Sequence, residues 1–164
     1  MVYTAEWSTQ SDHGRNPTNY QVDRYNLVGG VTAFGFTVTG AMEQLNGDGA
    51  LGATNNLGTN SFQTPLGTNH AFQGWADQFL VTPSAGIRDV FATLSTQVIG
   101  TKMAFVYHSF KDDTGKANYG DEYDFLVTKK FGAHYHVLAK YAYYNADQFA
   151  IDTQKLWLEG GINF

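Results

Sequence analysis

Cysteine is absent from the 164 residues, so the chain has neither a disulfide framework nor a thiolate metal site. Charged residues make up 15%, well under the ~25% usual in soluble globular proteins. No apolar run approaches the ~20 residues a membrane helix needs, and mean hydropathy is -0.30. A helical membrane protein is excluded. A transmembrane β-barrel is not, because its lipid-facing and lumen-facing residues alternate and cancel in any average. Basic runs of the kind that track phosphates are also missing, and the formal charge of -5 argues against a nucleic-acid partner. Residues 1–7 lack the basic start and apolar core of a signal peptide, so an exported chain beginning this way is expected to be mature or truncated.

Aromatic residues and glycine are plentiful, at 15% and 18 residues respectively, which tilts the chain toward strands and turns. Length allows one domain spanning 1–164. Period-two alternation recurs along it. In 153–164, Leu156, Leu158, Gly160, Ile162 and Phe164 oppose Lys155, Trp157, Glu159 and Asn163. In 135–144, Tyr135, Val137, Ala139, Tyr141 and Tyr143 oppose His136, Leu138, Lys140, Ala142 and Tyr144. Residues 119–130 set Tyr123, Phe125 and Val127 against Glu122, Asp124, Leu126 and Thr128, and 101–110 set Met103, Phe105 and Tyr107 against Lys102, Ala104, Val106 and His108. Further back, Val90, Ala92 and Leu94 oppose Asp89, Phe91, Thr93 and Ser95 in 87–98, while Phe34, Phe36, Val38 and Met42 oppose Thr37, Thr39 and Glu43 in 34–45. Segments 19–29, with Tyr25 and Leu27 against Arg24 and Asn26, and 2–10, with Tyr3, Ala5 and Trp7 against Thr4, Glu6 and Ser8, complete about eight strands, each near the ~9–11 residues that span a bilayer.

The connections alternate in length. Short turns are expected near Gly30–Ala33, Val98–Gly100 and Lys130–Ala133, and longer polar links at 11–18, 46–86, 111–118 and 145–152. Bacterial outer-membrane barrels have this asymmetry, with tight periplasmic turns and longer extracellular loops, so both termini are expected on the periplasmic side. A soluble up-and-down barrel with an apolar interior is the competing architecture. Three features weigh against it: charges at strand positions on the polar face, aromatics toward the strand ends on the apolar face (Tyr3, Trp7, Tyr107, Tyr123, Tyr135, Tyr143), and the terminal aromatic Phe164. The expected fold is an all-β, antiparallel up-and-down transmembrane β-barrel.

The run Tyr119-Gly120-Asp121-Glu122-Tyr123-Asp124, then Tyr141 to Asp147 and Asp152 to Trp157, resembles the C-terminal region of the alginate-export family of outer-membrane porins. So does His70 to Leu80, followed by Thr82-Pro83 and Gly86-Ile87-Arg88-Asp89. The resemblance covers the chain from about residue 34 onward. It implies a porin-like channel that passes polysaccharide or small solutes by diffusion, without a cofactor, and that this chain supplies the C-terminal part of a larger barrel. About eight strands closing alone leave an interior filled by side chains. Missing strands from elsewhere, a small plugged barrel, or assembly of several copies are the three ways to satisfy the edges.

Arg24, Glu43, Asp89, Lys102, Glu122, Asp124, Lys140, Lys155 and Glu159 are the candidate lumen lining that selects solutes by sign, against the plainer reading of an ion-pair network filling a narrow lumen. Segment 46–86 is expected to be a long extracellular loop folded into the lumen. Within it His70, Phe72, Trp75, Asp77 and Phe79 are the candidate constriction, because Phe72, Trp75, Phe79 and Leu80 are too apolar for a solvated loop. His134 and His136 are the only histidine pair with ligand-like spacing, and no metal site is expected from them. Asn46 to Gly49 and Asp112-Asp113 could hold a loop calcium, against the plainer reading of ordinary acidic turns. Ser109 beside His108 faces the opposite side of its strand, and neither G-x-S-x-G nor H-E-x-x-H occurs, so no enzyme is expected. The expected partners are outer-membrane lipid and a diffusing solute.

Overall fold

The computed structural model describes residues 1–15, 19–48, 60–65 and 72–162. Phe164, His70 and Gly49 lie outside the described residues. Eight strands follow one another: β1 (Val2–Ser11), β2 (Gln21–Ala33), β3 (Phe36–Leu45), β4 (Ile87–Val98), β5 (Thr101–Lys111), β6 (Asn118–Phe131), β7 (Tyr135–Ala146) and β8 (Thr153–Ile162). Each pairs antiparallel with its neighbours in sequence, giving one up-and-down sheet in the order β1 to β8. The polar or partly buried set and the exposed apolar set fall on the parities expected for every strand. Aromatic and β-branched residues at alternate positions suit a pleated surface covered on one side.

The sheet is not closed. Among the described residues β1 and β8 make no contact with each other, so both present an unpaired edge.

Three connections are tight, and they differ from expectation by a few residues. Gly30 to Ala33 continue the β2–β3 ladder, with Gly30 opposite Thr39 and Ala33 opposite Phe36. The turn is Phe34–Gly35, at φ 51° and 81°, and Ile99–Gly100 repeats the pattern at 48° and 71°. Two consecutive positive φ values make the turn whose twist matches right-handed strands. Phe34 therefore sits in a turn and is fully exposed, not on a strand face. The β6–β7 turn is 132–134, because Lys130 and Phe131 still pair with His136 and Tyr135.

The longer connections leave and re-enter the sheet at the opposite end, between β1 and β2, β3 and β4, β5 and β6, and β7 and β8. The buried core lies there, between the polar face and segment 72–82: Leu45, Ile87, Phe110 and Tyr144 are all nearly inaccessible. A bulge helps build it. The β5–β6 register shifts between Phe110 and Lys111, so Tyr119 joins this core and donates its hydroxyl to the Gly86 carbonyl at 3.1 Å.

Candidate functional site

Strand alternation decides which charges share a face, and register decides which of them meet. Asn26 lies opposite Glu43, Glu43 opposite Asp89, Phe91 opposite His108, His108 opposite Glu122, Leu126 opposite Lys140, and Lys140 opposite Trp157. These positions form a polar belt crossing the sheet near its long-connection end. Arg24 bridges Glu43 at 2.6 Å and Glu6 at 3.1 Å. His108 places Nδ1 2.9 Å from Asp89 Oδ2 and Nε2 3.6 Å from Asp124 Oδ2. The His108 ring stacks against Phe91 at 5.0 Å and Phe110 at 5.4 Å between centroids.

Segment 72–77 is clamped onto this belt through its backbone. The Ala76 N–H donates to Glu122 Oε1 at 2.7 Å and the Trp75 N–H to Asp124 Oδ2 at 3.3 Å. The Gln73 amide donates to Glu43 Oε2, and Lys155 Nζ donates to Asp77 Oδ2 at 2.7 Å. Lys140 lies 4.3 Å from the Trp75 ring centroid and 5.3 Å from that of Trp157. Close approach is what Gly74 supplies: a Cβ there would stand 2.5 Å from Glu122 Oε2. Gln73 and Asp77 take φ 51° and 57°, a left-handed conformation that costs energy in non-glycine residues and persists only where the surroundings impose it.

The far end of the segment is held by packing. Phe79 is buried among Phe110, Tyr119, Tyr144 and Phe149, with centroids between 4.6 Å and 6.0 Å. Tyr144 donates its hydroxyl to the Phe149 carbonyl at 3.0 Å and also to that of Tyr119. Beside the loop, Glu43, Phe72, Gln73, Asp89, Phe91 and His108 contribute to the lining of a cleft of 180 Å³. A second, of 380 Å³, is bounded by Arg24, Glu43, Phe62, Gln63, Pro65 and Phe72 among others.

Seven of the nine candidate lining residues come together at the belt: Arg24, Glu43, Asp89, Glu122, Asp124, Lys140 and Lys155. Two do not. Lys102 lies near the tight turns, in a 350 Å³ cleft with Gln97, Thr128 and Lys130, and Glu159 accepts from His136 Nε2 at 3.1 Å, exposed to solvent. That contact, together with the position of His134 in the turn, takes apart the His134/His136 pair. Of the candidate constriction, Trp75, Asp77 and Phe79 dock, Phe72 is about half exposed, and His70 lies outside the described residues. Leu80 is a correction: it is 60% exposed and points away from the core.

Sequence reasoning missed His108, Glu6, Gln73 and the backbone N–H donors of residues 75 and 76. Parity placed His108 on the correct face, but only register brings Asp89 and Asp124 to its two ring nitrogens.

Outside the strands, the 112–117 connection folds around Asp112. Burial opposes its ionisation, but donation from the Thr114 hydroxyl and the N–H groups of Ala117 and Lys116 holds it below the ordinary carboxylate range. Asp113 accepts from the Gly47 N–H at 2.9 Å, and burial pushes its carboxyl upward. Among the described residues no group of three or more metal-ligating side chains converges.

No family model, no curated protein and no solved structure matches this chain.

Proposed function

We propose that this chain forms wall and constriction of a bacterial outer-membrane porin-type channel, through which polysaccharide or small solutes diffuse without a cofactor. The observation that carries the reading is the contrast between the two faces of one sheet. One face bears the charged belt with a loop folded back onto it. The other exposes Leu27, Val38, Leu94, Val127, Val137 and Leu158 among many large apolar side chains, more than a water-facing sheet tolerates.

Aromatics bound that apolar face at two levels. Tyr123 and Phe131 on β6, and Tyr135 and Tyr143 on β7, are eight residues apart on the exposed parity. At ~3.3 Å per residue this is about 26 Å along the strand, which a ~40° tilt shortens to about 20 Å, close to the ~25 Å apolar band of outer-membrane barrels. Rows of rings cross the strands at the upper level, with Tyr107, Tyr123 and Tyr143 in sequence. In this reading the tight turns and both termini face the periplasm, and the long connections face outward.

The unpaired edges of β1 and β8 require further strands, since hydrocarbon does not accept open backbone donors and acceptors. This fits the part of a larger barrel that the resemblance to the alginate-export porins implies. A second reading is a plugged structural or adhesion-type barrel, favoured by how tightly segment 72–79 is clamped. Planar-bilayer recording separates the two: a stable open level proportional to salt concentration supports the channel, and reconstituted protein that never conducts overturns it.

A further inference from the structure

Under the clamped loop, two acids stand side by side with nothing to separate their charges. Glu122 and Asp124 occupy successive same-face positions of β6, and both are 0% exposed. One oxygen of each is occupied by a loop N–H, from Ala76 and Trp75 respectively. The others, Glu122 Oε2 and Asp124 Oδ1, are buried and meet no N–H or O–H donor. As same-face neighbours on one strand, both fully buried, the two carboxyl groups bear directly on each other's charge. Ionised carboxylates are acceptors only, so a proton on one of the two is what would supply a donor to these orphaned oxygens.

We propose that Glu122 and Asp124 share a single proton and together act as a pH-operated latch on segment 72–77. With the proton in place the pair carries one negative charge, and its outer oxygens accept the Trp75 and Ala76 N–H groups. Once the proton leaves, two anions face each other in a space that excludes water. The cheapest relief is to admit water, which means lifting the loop off the belt. The proton passes to solvent and no other bond changes.

Every packed element contributes charges that bear on the pair. Across the sheet stand His108 on β5, with Asp89 behind it on β4 and Glu43 beyond on β3. On the other side are Lys140 and Tyr144 on β7. Above lies Asp77 of the loop, tied to Lys155 on β8. Lys140 and His108 lie on opposite flanks of the pair. Neither hydrogen-bonds to the orphaned oxygens, so a proton rather than a salt bridge is left to satisfy them.

The inference concerns loop docking and stands whether or not the protein conducts. Because the chain has no cysteine, nitroxides at Phe72→Cys and Gln97→Cys report the loop-to-strand distance without background, by pulsed electron resonance on the full chain in detergent. At neutral pH a single docked distance is expected. A longer one should grow at alkaline pH, its ratio to the docked form rising about tenfold per pH unit as release of one proton requires. Glu122→Gln keeps one acceptor for Ala76 and supplies a permanent donor to Asp124, so its loop should stay docked across the same range. Asp124→Asn reverses the roles and should behave alike. A pH-independent distance in the wild type, or an alkaline transition surviving in both variants, overturns the latch. Undocking by a chelator at constant pH also overturns it, in favour of a metal ion between the acids.

Discussion

The two ends of each strand carry the same alternation and come to rest in different surroundings. Toward the long connections, Glu43, Asp89, His108, Glu122 and Asp124 are buried beneath segment 72–79, and every one of them has a polar partner. Toward the tight turns, Lys102, Thr128 and Lys130 on the same face line an open cleft. Nothing in the strands causes this. A 41-residue connection (46–86) at one end, set against two- and three-residue turns at the other, provides enough chain to fold back over the sheet. Strand pattern thus fixes the face, while connection length fixes which part of that face becomes a dry, charged site.

The contrast can be broken most severely by removing what holds the loop. Phe79→Ala should cost about 3–5 kcal/mol of loop docking, as for other buried aromatic truncations, and hydrogen exchange should show 72–82 opening while the turn-side halves of β4 to β6 stay protected. Exchange that rises equally at both ends would mean that the two halves are one cooperative unit.

Charge removal beneath the loop comes next. Arg24→Met leaves Glu43 buried with only the Gln73 amide, and should cost about 2–3 kcal/mol as a half-buried pair loses its cation. Denaturant unfolding checks it. A neutral result would show that water already reaches Glu43.

Asp112 tests a smaller restraint at the same end. Asp112→Ala should cost about 1 kcal/mol through lost loop hydrogen bonds. Its folded carboxyl is held below the ordinary value, so the wild-type contribution is fully present above the unfolded value near ~3.9 and is lost as pH falls through the lower folded one. The amide exchange of 112–117 should therefore differ between wild type and Asp112→Ala at neutral pH and converge in strong acid.

Much of this was legible in the sequence. Period-two alternation assigned all eight strands and their faces, because one-sided cover imposes it residue by residue. Turn positions slipped at Phe34 because a Phe-Gly turn carries little of the usual Asn-Gly signature. Trp75 and Phe79 stood out as too apolar for a solvated loop, but the same argument misplaced Leu80. Hydrophobicity says that some of a loop must dock and not which side chains turn inward. The belt was the least legible part. Its members come from strands far apart in sequence, and backbone N–H groups, which leave no trace in composition, complete it.

The smallest stability effect belongs to the open half. Lys102→Ala and Lys130→Ala should each change stability by less than about 0.5 kcal/mol, yet in a conducting barrel they should shift reversal potentials toward cations. A stability loss like that of Arg24→Met would erase the distinction between the two ends.

The central claim is that the apolar face meets lipid while the loop-covered face does not. Three native tryptophans sample both: Trp7 on the apolar face, and Trp75 and Trp157 on the other. Single-tryptophan variants can be reconstituted in bilayers whose acyl chains carry bromine, which quenches only on contact. Strong quenching of Trp7, with Trp75 and Trp157 nearly unaffected, is the predicted result. Equal quenching of all three, or none at Trp7, would contradict it.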